Sequence, residues 1–345
     1  MGNRASINNN KGLLGGGPFY LRSILNGIAM VFSCILLSVG CGTQTAKDTI
    51  LMQSQSKELT ETFFHEGIRR SYHIHLPPGF RSDRPSPLVL ALHGGGGQGR
   101  RFDRSITRGT LVAAADSRGV VLVFPEAVKS HWFDGRAEIL ETERGYDDAG
   151  FISVVIDRMV KNYGIDSGRL YATGISNGGF MSIRLAMDFS EKIAAVAPVA
   201  AQLSMVLKDK TPRFPISIMI INGTMDPLVP FDGGHIGLAG FGRSRGEIMS
   251  TAETVEHFRL HNGCDRTPEM RRIPNRAPDD GTDAWVEKYA NGRDGTEAIL
   301  VRVKGGGHSW PGGGQYFRPK IIGAVCRDFN ASEMILEFFL RHKRP

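Results

Sequence analysis

The sequence predicts an α/β fold in which a mostly parallel central sheet is flanked by helices. Three observations predict it. Short apolar segments typical of buried strands alternate with segments of helical periodicity, glycine-rich turns follow several of the strands, and the 345 residues are 41% hydrophobic and 22% charged. Strands interleaved with helices indicate right-handed βαβ units, whose strands run parallel. The length suffices for one large domain.

The elements follow one another in a regular order. The first two strand segments, 60–65 and 70–76, lie close together in sequence and are expected to pair antiparallel at one edge of the sheet. The segment 265–283 is rich in Arg, Pro and Asp and is predicted to be a surface loop. The remaining strands are predicted at 87–93, 119–124, 168–175, 193–199, 215–222, 284–290 and 298–304, and helices at 107–117, 151–163, 178–189, 247–261 and 331–342.

The N-terminal segment predicts export. Residues 24–40 form an apolar run behind three basic residues and stop at Cys41, with the small residues Ser38 and Gly40 just before it. This pattern is typical of a lipoprotein signal peptide, with Cys41 as the lipidated residue. A membrane-spanning helix is the alternative, for which the run is slightly short.

Three domains follow from this interpretation. We expect a signal peptide at 1–41, a flexible polar tether at 42–57 and a folded α/β domain at 58–345. The mature protein is expected to be a membrane-anchored lipoprotein, or otherwise periplasmic or extracellular.

Composition argues against several classes of function. The formal charge is +7, but no segment interleaves its basic residues with aromatic side chains as a nucleic-acid surface does, so we interpret the charge as solvated surface. Histidines and cysteines lack the spacing of metal ligands. We therefore expect no metal, no cofactor and no nucleic-acid partner.

The most informative segment is 170–180, where an apolar strand runs into a serine flanked by glycines. Ser176 stands between Gly174 and Gly178, and a helical pattern follows. Small residues on both sides allow the strained strand-to-helix turn called a nucleophile elbow, which exposes the serine hydroxyl. Ser176 is the predicted nucleophile.

An acid and a base follow the serine in the order used by α/β hydrolases. Asp226 comes just after an apolar strand, and His308 follows another strand and the glycines at 305–307. Catalytic groups collect at the carboxyl ends of parallel strands. Asp232 is the alternative acid, and His235 is the competing histidine.

The glycines at 94–97 follow the strand 87–93 and predict an oxyanion hole. Backbone N–H groups of this loop, together with that of Asn177, can stabilise the negative charge of a tetrahedral intermediate. Gly95 and Gly96 are both candidates for the donor. A phosphate-binding loop is the alternative, but the lysine and the hydroxyl residue of a P-loop are missing.

With these residues the chain resembles the secreted esterases that include poly(3-hydroxybutyrate) depolymerases, feruloyl esterases and acetylxylan esterases. The resemblance covers about 64–340 and rests on motifs at 92–95, 147–151, 166–180, 194–199, 222–234 and 306–312. It implies that Ser176 is the nucleophile, Asp226 the orienting acid and His308 the base. It also implies that Asp147 and Asp148 fix the loop near the elbow.

One departure from the family concerns cysteine. Related chains often carry a cysteine near Tyr289, where this chain has Ala290 and Asn291. The resemblance therefore suggests that Cys264 pairs with Cys326 instead, which export would permit.

The residues and the resemblance together predict an exported serine esterase with an α/β-hydrolase catalytic domain at 58–345. The resemblance implies that it acts on esters of plant or microbial polymers. Trp132 and Trp310 are predicted to form apolar walls for a feruloyl-type or acetyl-type ester. A poly(3-hydroxybutyrate) depolymerase is the first alternative, and a lipid-anchored binding protein without catalysis is the second. Because the chain ends soon after its last helix, we expect soluble esters to be favoured over solid polyester.

Overall fold

The structure is a computed structural model that describes residues 55–136, 145–237 and 245–344. The predicted signal peptide, Cys41 and nearly all of the predicted tether lie outside these ranges. Among the described residues, no helix has both the length and the apolar character needed to cross a bilayer.

A ten-stranded sheet organises the described residues, in the spatial order β1-β2-β4-β3-β5-β6-β7-β12-β11-β10. Two further short strands, β8 and β9, pair with each other. The strands are β1 (Lys57–His65), β2 (Ile68–Leu76), β3 (Ser86–Leu92), β4 (Val121–Pro125), β5 (Ile165–Ile175), β6 (Ala195–Val199), β7 (Ser217–Gly223), β8 (Gly234–His235), β9 (Glu247–Ile248), β10 (Glu269–Arg272), β11 (Asp283–Tyr289) and β12 (Ala298–Lys304).

The middle of the sheet is parallel and its two margins are antiparallel. Strands β4, β3, β5, β6, β7 and β12 run parallel to their neighbours within this group. The hairpin of β1 and β2 joins one side antiparallel, and β11 and β10 join the other. The predicted fold class and the predicted antiparallel pair at the edge are both confirmed.

Helices cover both faces of the sheet, which buries most residues of the parallel strands. Phe151, Phe180 and Phe258 belong to the core on one face, whereas Leu111 and Phe338 belong to the core on the other. The helices are α1 (Gly99–Phe102), α2 (Thr110–Asp116), α3 (Asp148–Tyr163), α4 (Asn177–Asp188), α5 (Thr251–Asn262), α6 (Pro319–Ile322) and α7 (Ala331–Leu340).

Two predicted elements differ from the structure for local reasons. The predicted helix 247–261 begins only at Thr251, because the Ser250 hydroxyl and the Glu253 carboxylate form a capping box there. The predicted loop 265–283 contains β10, a strand whose four residues are all exposed. An edge strand without a buried side lacks the apolar alternation by which strands are found in a sequence.

The proposed disulfide between Cys264 and Cys326 is not present, since both are buried free cysteines. Cys264 lies beside Thr296, near the carboxyl end of β11, where Asp265 N–H donates to the Ala290 carbonyl. Cys326 lies next to Asp328 and beside Thr282, the residue just before the other end of β11. Seven strand residues span roughly 23 Å, so no bridge can form between the two thiols.

A buried carboxylate fastens the end of the chain to the sheet. Glu297, just before β12, accepts hydrogen bonds from Arg341 Nη2 at 2.6 Å and His342 Nε2 at 2.9 Å. Burial alone would raise the pKa of Glu297, but the bonds from His342 and Arg341 outweigh it and lower the pKa to about 2. The ionised form is therefore the one that the fold stabilises.

We expect Glu297→Gln to lower the free energy of unfolding at neutral pH by about 2 to 3 kcal/mol. A carboxylate whose pKa is lowered by folding contributes stability above its unfolded pKa and loses it as pH falls through the folded pKa. The difference between wild type and variant should therefore shrink between about pH 4.5 and pH 2. Urea unfolding of wild type and Glu297→Gln at pH 7 and pH 3 measures this difference in unfolding free energy.

The matched control is Glu337→Gln. Glu337 lies in α7, its side chain is 64% exposed, and its distance to Arg118 is 3.4 Å. An exposed pair of this kind contributes little, so we expect a change below about 0.5 kcal/mol. Equal losses in the two variants would contradict the role given to Glu297.

Candidate active site

The turn from β5 into α4 holds Ser176 in a strained backbone conformation, with φ 56° and ψ −125°. Such a conformation is costly for a residue with a side chain and persists only where the surroundings enforce it. Here the Ser176 N–H donates to the Val199 carbonyl at 2.9 Å, which ties the turn to β6. Ser176 is half-buried, whereas Ile175 and Asn177 are buried. The turn thus presents the hydroxyl at the carboxyl edge of the sheet.

Close backbone packing explains the glycines on either side of the serine. A Cβ added at Gly174 would lie 2.5 Å from the Leu92 carbonyl oxygen, and one at Gly178 would lie 2.0 Å from the same atom. Real Cβ atoms do not approach an oxygen so closely. The end of β3 can therefore rest against the turn only if both positions are glycine.

Asp226 and His308 are in direct contact. Asp226 Oδ2 lies 2.7 Å from His308 Nδ1, and both side chains are buried. The other carboxylate oxygen accepts the backbone N–H groups of Leu228 at 2.8 Å and Val229 at 2.9 Å. Because a carboxylate only accepts, Nδ1 carries a proton, and in the neutral tautomer that this contact selects the lone pair is on Nε2.

The loop that carries His308 is fixed by contacts to residues well downstream. A Cβ added at Gly307 would lie 2.1 Å from the Ile322 carbonyl oxygen, so only glycine fits there. The Tyr316 hydroxyl donates to the His308 carbonyl at 2.8 Å. Burial, reinforced by the Asp226 charge, raises the pKa of Tyr316, which keeps it protonated as a donor.

The structure separates the two glycines that the sequence left as alternatives. Gly96 N–H already donates to the Ser130 carbonyl at 2.8 Å. A Cβ added at Gly95 would lie 3.7 Å from Asn177 Cβ, and one at Gly94 would lie 3.7 Å from Ser176 Cβ. The loop therefore passes directly over the elbow, and Gly95 is the glycine next to Asn177.

The Asn177 side chain has a structural task that sequence reasoning missed. Its Oδ1 accepts Trp132 N–H at 2.7 Å, and its Nδ2 donates to the Trp132 carbonyl at 3.0 Å and to Asp134 Oδ2 at 2.6 Å. Asp134 is paired in turn with Arg136. These contacts lock the loop after β4 against the start of α4.

Asp148 supports the same loop, as the family resemblance implied. It is fully buried, pairs with Arg70, and accepts Phe133 N–H at 2.7 Å. Asp147 accepts Gly150 N–H at 2.9 Å at the start of α3 and lies 3.2 Å from His65.

His93 is a second residue that the sequence did not single out. It is buried, its Nδ1 donates to the Gly94 carbonyl at 2.9 Å, and its Nε2 accepts Ala127 N–H at 3.2 Å. Burial lowers the pKa of His93, so the neutral ring is favoured. The ring supports the glycine loop. In the sequence, only the position of His93 directly before Gly94 could have indicated this role.

The structure corrects the assignment of Trp132 and Trp310 to the substrate site. Both are fully buried and belong to the core. The Trp132 indole donates to the His93 carbonyl at 2.9 Å, and the Trp310 indole donates to Ser332 Oγ at 3.1 Å. Neither ring faces a site that a substrate could enter. The exposed apolar residues beside the His308 loop are Met225 and Phe317.

Among the described residues, one group of three side chains has potential metal ligands within 4.8 Å of one another, namely His65, Glu66 and Asp147. Asp147 already uses its carboxylate at the start of α3 and with His65, and Glu66 is exposed. The group lies at the hairpin of β1 and β2, and it adds nothing to the arrangement around Ser176.

Comparison with known proteins gives consistent results. The family model described as Esterase PHB depolymerase matches residues 70–212. The protein named "Putative esterase NocK" of Nocardia uniformis subsp. tsuyamanensis is 35% identical over 280 residues, which cover 79% of this chain and 80% of that protein.

Two further matches carry a named substrate class. The bifunctional acetylxylan esterase/xylanase XynS20E of Neocallimastix patriciarum is 31% identical over 166 residues, covering 48% of this chain and only 23% of that protein. The acetyl xylan esterase of Aspergillus awamori superposes with a TM-score of 0.50 at 16% identity, covering 73% of this chain and 94% of the other. This structural likeness supports the α/β-hydrolase fold.

Proposed function

Since this chain belongs to the esterase family of the PHB depolymerases and is a carboxylic ester hydrolase, we propose that it works as a serine esterase through Ser176, His308 and Asp226. The contact of 2.7 Å between His308 Nδ1 and Asp226 Oδ2 carries the proposal. It leaves Nε2 as the nitrogen that can take a proton from the serine.

In the proposed reaction, Ser176 Oγ attacks the ester carbonyl while His308 Nε2 takes the hydroxyl proton. The Asp226 carboxylate stabilises the imidazolium and holds the ring. His308 then gives the proton to the departing alcohol, which leaves an acyl-enzyme on Ser176. Water repeats the two steps, releases the acid and restores the serine.

A phosphonate that reacts with active serines tests the proposal. Wild-type protein should hydrolyse p-nitrophenyl acetate, and the phosphonate should abolish this activity with one adduct per chain on the peptide that contains Ser176. An adduct on a different serine, or no hydrolysis at all, would remove the support for this mechanism. The second outcome would favour the binding protein without catalysis.

We propose that the N–H groups of Gly95 and Asn177 stabilise the oxyanion. Gly95→Ala should lower kcat about 10 to 100-fold, because the new Cβ would meet the His131 ring at 3.0 Å and disturb the donor. Removal of an oxyanion donor lowers kcat about 10² to 10³-fold, and displacement of the donor lowers kcat less. Steady-state kinetics with p-nitrophenyl acetate measures the effect.

Gly96→Ala is the matched variant. Gly96 has φ +75°, and a Cβ there would meet nothing within 4 Å. We therefore expect a loss of about 1 kcal/mol in unfolding free energy with kcat nearly unchanged. A larger loss of kcat in Gly96→Ala than in Gly95→Ala would reverse the assignment of the donor.

We propose acetyl or feruloyl esters of plant or microbial polymers as the substrates, supported by the sequence match to the bifunctional acetylxylan esterase/xylanase. Trp132 and Trp310 do not support acetyl or feruloyl esters as substrates, because both side chains are buried. Hydroxybutyrate oligomers are the second candidate, supported by the family description. Values of kcat/KM on acetylated xylo-oligosaccharides, methyl ferulate and hydroxybutyrate oligomers decide between them.

We propose, too, that the chain is exported and anchored through lipidated Cys41, on the strength of the apolar run 24–40 before it. The mature N-terminus should then be Cys41 with an attached lipid, as seen by mass spectrometry. Cys41→Ser should block processing or release the protein from membranes. A free N-terminus beyond Cys41 would indicate an ordinary secreted esterase.

A further inference from the structure

Four arginines lie close together in the segment between positions 100 and 108. Arg100, Arg101, Arg104 and Arg108 are all exposed, and we call them the basic rim. Within the described ranges, none of the four has a carboxylate within ion-pair distance. Many other arginines of the chain do have such partners, among them Arg70, Arg118, Arg136, Arg158, Arg169 and Arg184.

The segment of the basic rim adjoins the glycine loop over Ser176. It follows that loop directly, since α1 begins at Gly99. Both Gly99 N–H and Arg100 N–H donate to the Glu126 carboxylate, at 2.9 and 3.0 Å. Glu126 itself immediately follows β4, so the first arginines are held at the carboxyl edge of the sheet.

The other end of the segment adjoins the loop of His308. Gly314 N–H donates to the Ile106 carbonyl at 2.8 Å, and a Cβ added at Gly314 would lie 3.1 Å from Arg108 Cγ. Phe102 packs against Trp310, two residues after His308, with ring centroids 5.6 Å apart. The basic rim therefore lies between the glycine loop over Ser176 and the loop that carries His308.

The charge of this region is positive even when the Glu126 carboxylate at its start is counted. The segment 100–108 contains four arginines and one aspartate, which leaves a charge of +3. The Asp103 carboxylate is half-buried and accepts Val112 N–H at 3.2 Å. Across the contact with Gly314, the segment 315–323 adds exposed Arg318 and Lys320 without an acidic residue. Clustered charge of one sign raises the local concentration of oppositely charged substrate.

We propose that the basic rim binds the carboxylates of an anionic polysaccharide, so that the esterase acts preferentially on acyl groups carried by uronate-containing chains. This proposal rests on the proposed esterase function. Guanidinium groups pair with carboxylates through two parallel hydrogen bonds, which suits them to this ligand. The segment 100–108 exposes no aromatic side chain for base stacking and no large apolar side chain for insertion into lipid, and Phe317 beside Arg318 is the one large apolar side chain exposed in 315–323.

The test compares two substrates that release the same acid. Acetylated oligogalacturonides carry carboxylates, and acetylated xylo-oligosaccharides of equal length do not. At low salt we expect kcat/KM to be roughly 10-fold or more higher on the anionic substrate, and this preference should vanish at about 0.5 M NaCl. Replacing all four rim arginines by Gln should abolish the preference and leave the rate on p-nitrophenyl acetate unchanged.

A control variant removes the same amount of charge elsewhere. Arg69, Arg84, Arg266 and Arg271 are also exposed and lie outside the segments around Ser176. Their simultaneous replacement by Gln should keep the preference for oligogalacturonides. If both quadruple variants lose it equally, net charge alone is responsible and the basic rim is not a binding site. An absent preference in wild type would also overturn the proposal.

Binding without catalysis provides an independent measurement. In a Ser176→Ala background, unacetylated polygalacturonate should bind at least 10-fold more weakly when the rim arginines are replaced. The binding measurement tests the basic rim independently of catalysis. Failure to hydrolyse p-nitrophenyl acetate would count against the proposed function only. Equal binding with and without the rim, or binding to phosphatidylglycerol vesicles but not to polygalacturonate, would refute the proposal.

Discussion

Ser176→Ala should abolish ester hydrolysis, with a loss of about 10⁶ in kcat. The hydroxyl is the proposed covalent centre, and its removal takes away a single half-buried oxygen. The fold should therefore be kept, as circular dichroism and the unfolding midpoint would show. Activity above about a hundredth of wild type would mean that another group is the nucleophile.

Two further variants separate chemistry from structure at the elbow. Ser182→Ala removes a hydroxyl six residues further along the chain, in α4, where it donates to the Gly179 carbonyl, and this variant should stay active. Ser176→Gly should be as inactive as Ser176→Ala but about 1 kcal/mol more stable, because glycine adopts φ 56° without strain. A Ser176→Gly variant less stable than Ser176→Ala would contradict the strain argument.

Asp226→Asn should lower kcat about 10⁴-fold, the effect of removing the orienting carboxylate in serine hydrolases. The amide oxygen can still accept Leu228 N–H and Val229 N–H, so the loop should remain in place. The amide nitrogen then faces His308 and favours the tautomer with its proton on Nε2. With a proton already on Nε2, His308 can no longer take the proton of the Ser176 hydroxyl.

Asp232→Asn is the control for this substitution, and it also tests the alternative acid. Asp232 lies on the same loop but is exposed, and His235 is exposed as well. We expect Asp232→Asn to retain near-normal kcat on p-nitrophenyl acetate. A severe loss in Asp232→Asn together with a mild one in Asp226→Asn would transfer the orienting role to Asp232.

The fold was predictable because its signals are local. Each central strand is a short apolar run, and the alternation with helices already implies a parallel sheet. The confirmed family and fold rest on motifs whose residues are neighbours in sequence. The exposed strand β10 and the late start of α5 escaped prediction, because neither changes the apolar pattern on which the prediction depended.

The sequence by itself determined which residues stand at the carboxyl ends of strands, and hence the proposed roles of Ser176, Asp226 and His308. A strand end and a glycine-flanked turn are defined by residues adjacent in the chain. The roles themselves stay predictions until the variants are measured. To these proposed roles the fold adds the direct contact between Asp226 and His308.

Only the tertiary structure decided the features that depend on distant segments. Whether Gly95 or Gly96 keeps its N–H available depends on Ser130, and the burial of Trp310 depends on Phe102 and Ser332. The two cysteines are kept apart by the length of β11. The basic rim is likewise a property of packing, since it gains its place beside the site from contacts made about two hundred residues later in the chain. Burial and proximity are set by partners that no local pattern specifies.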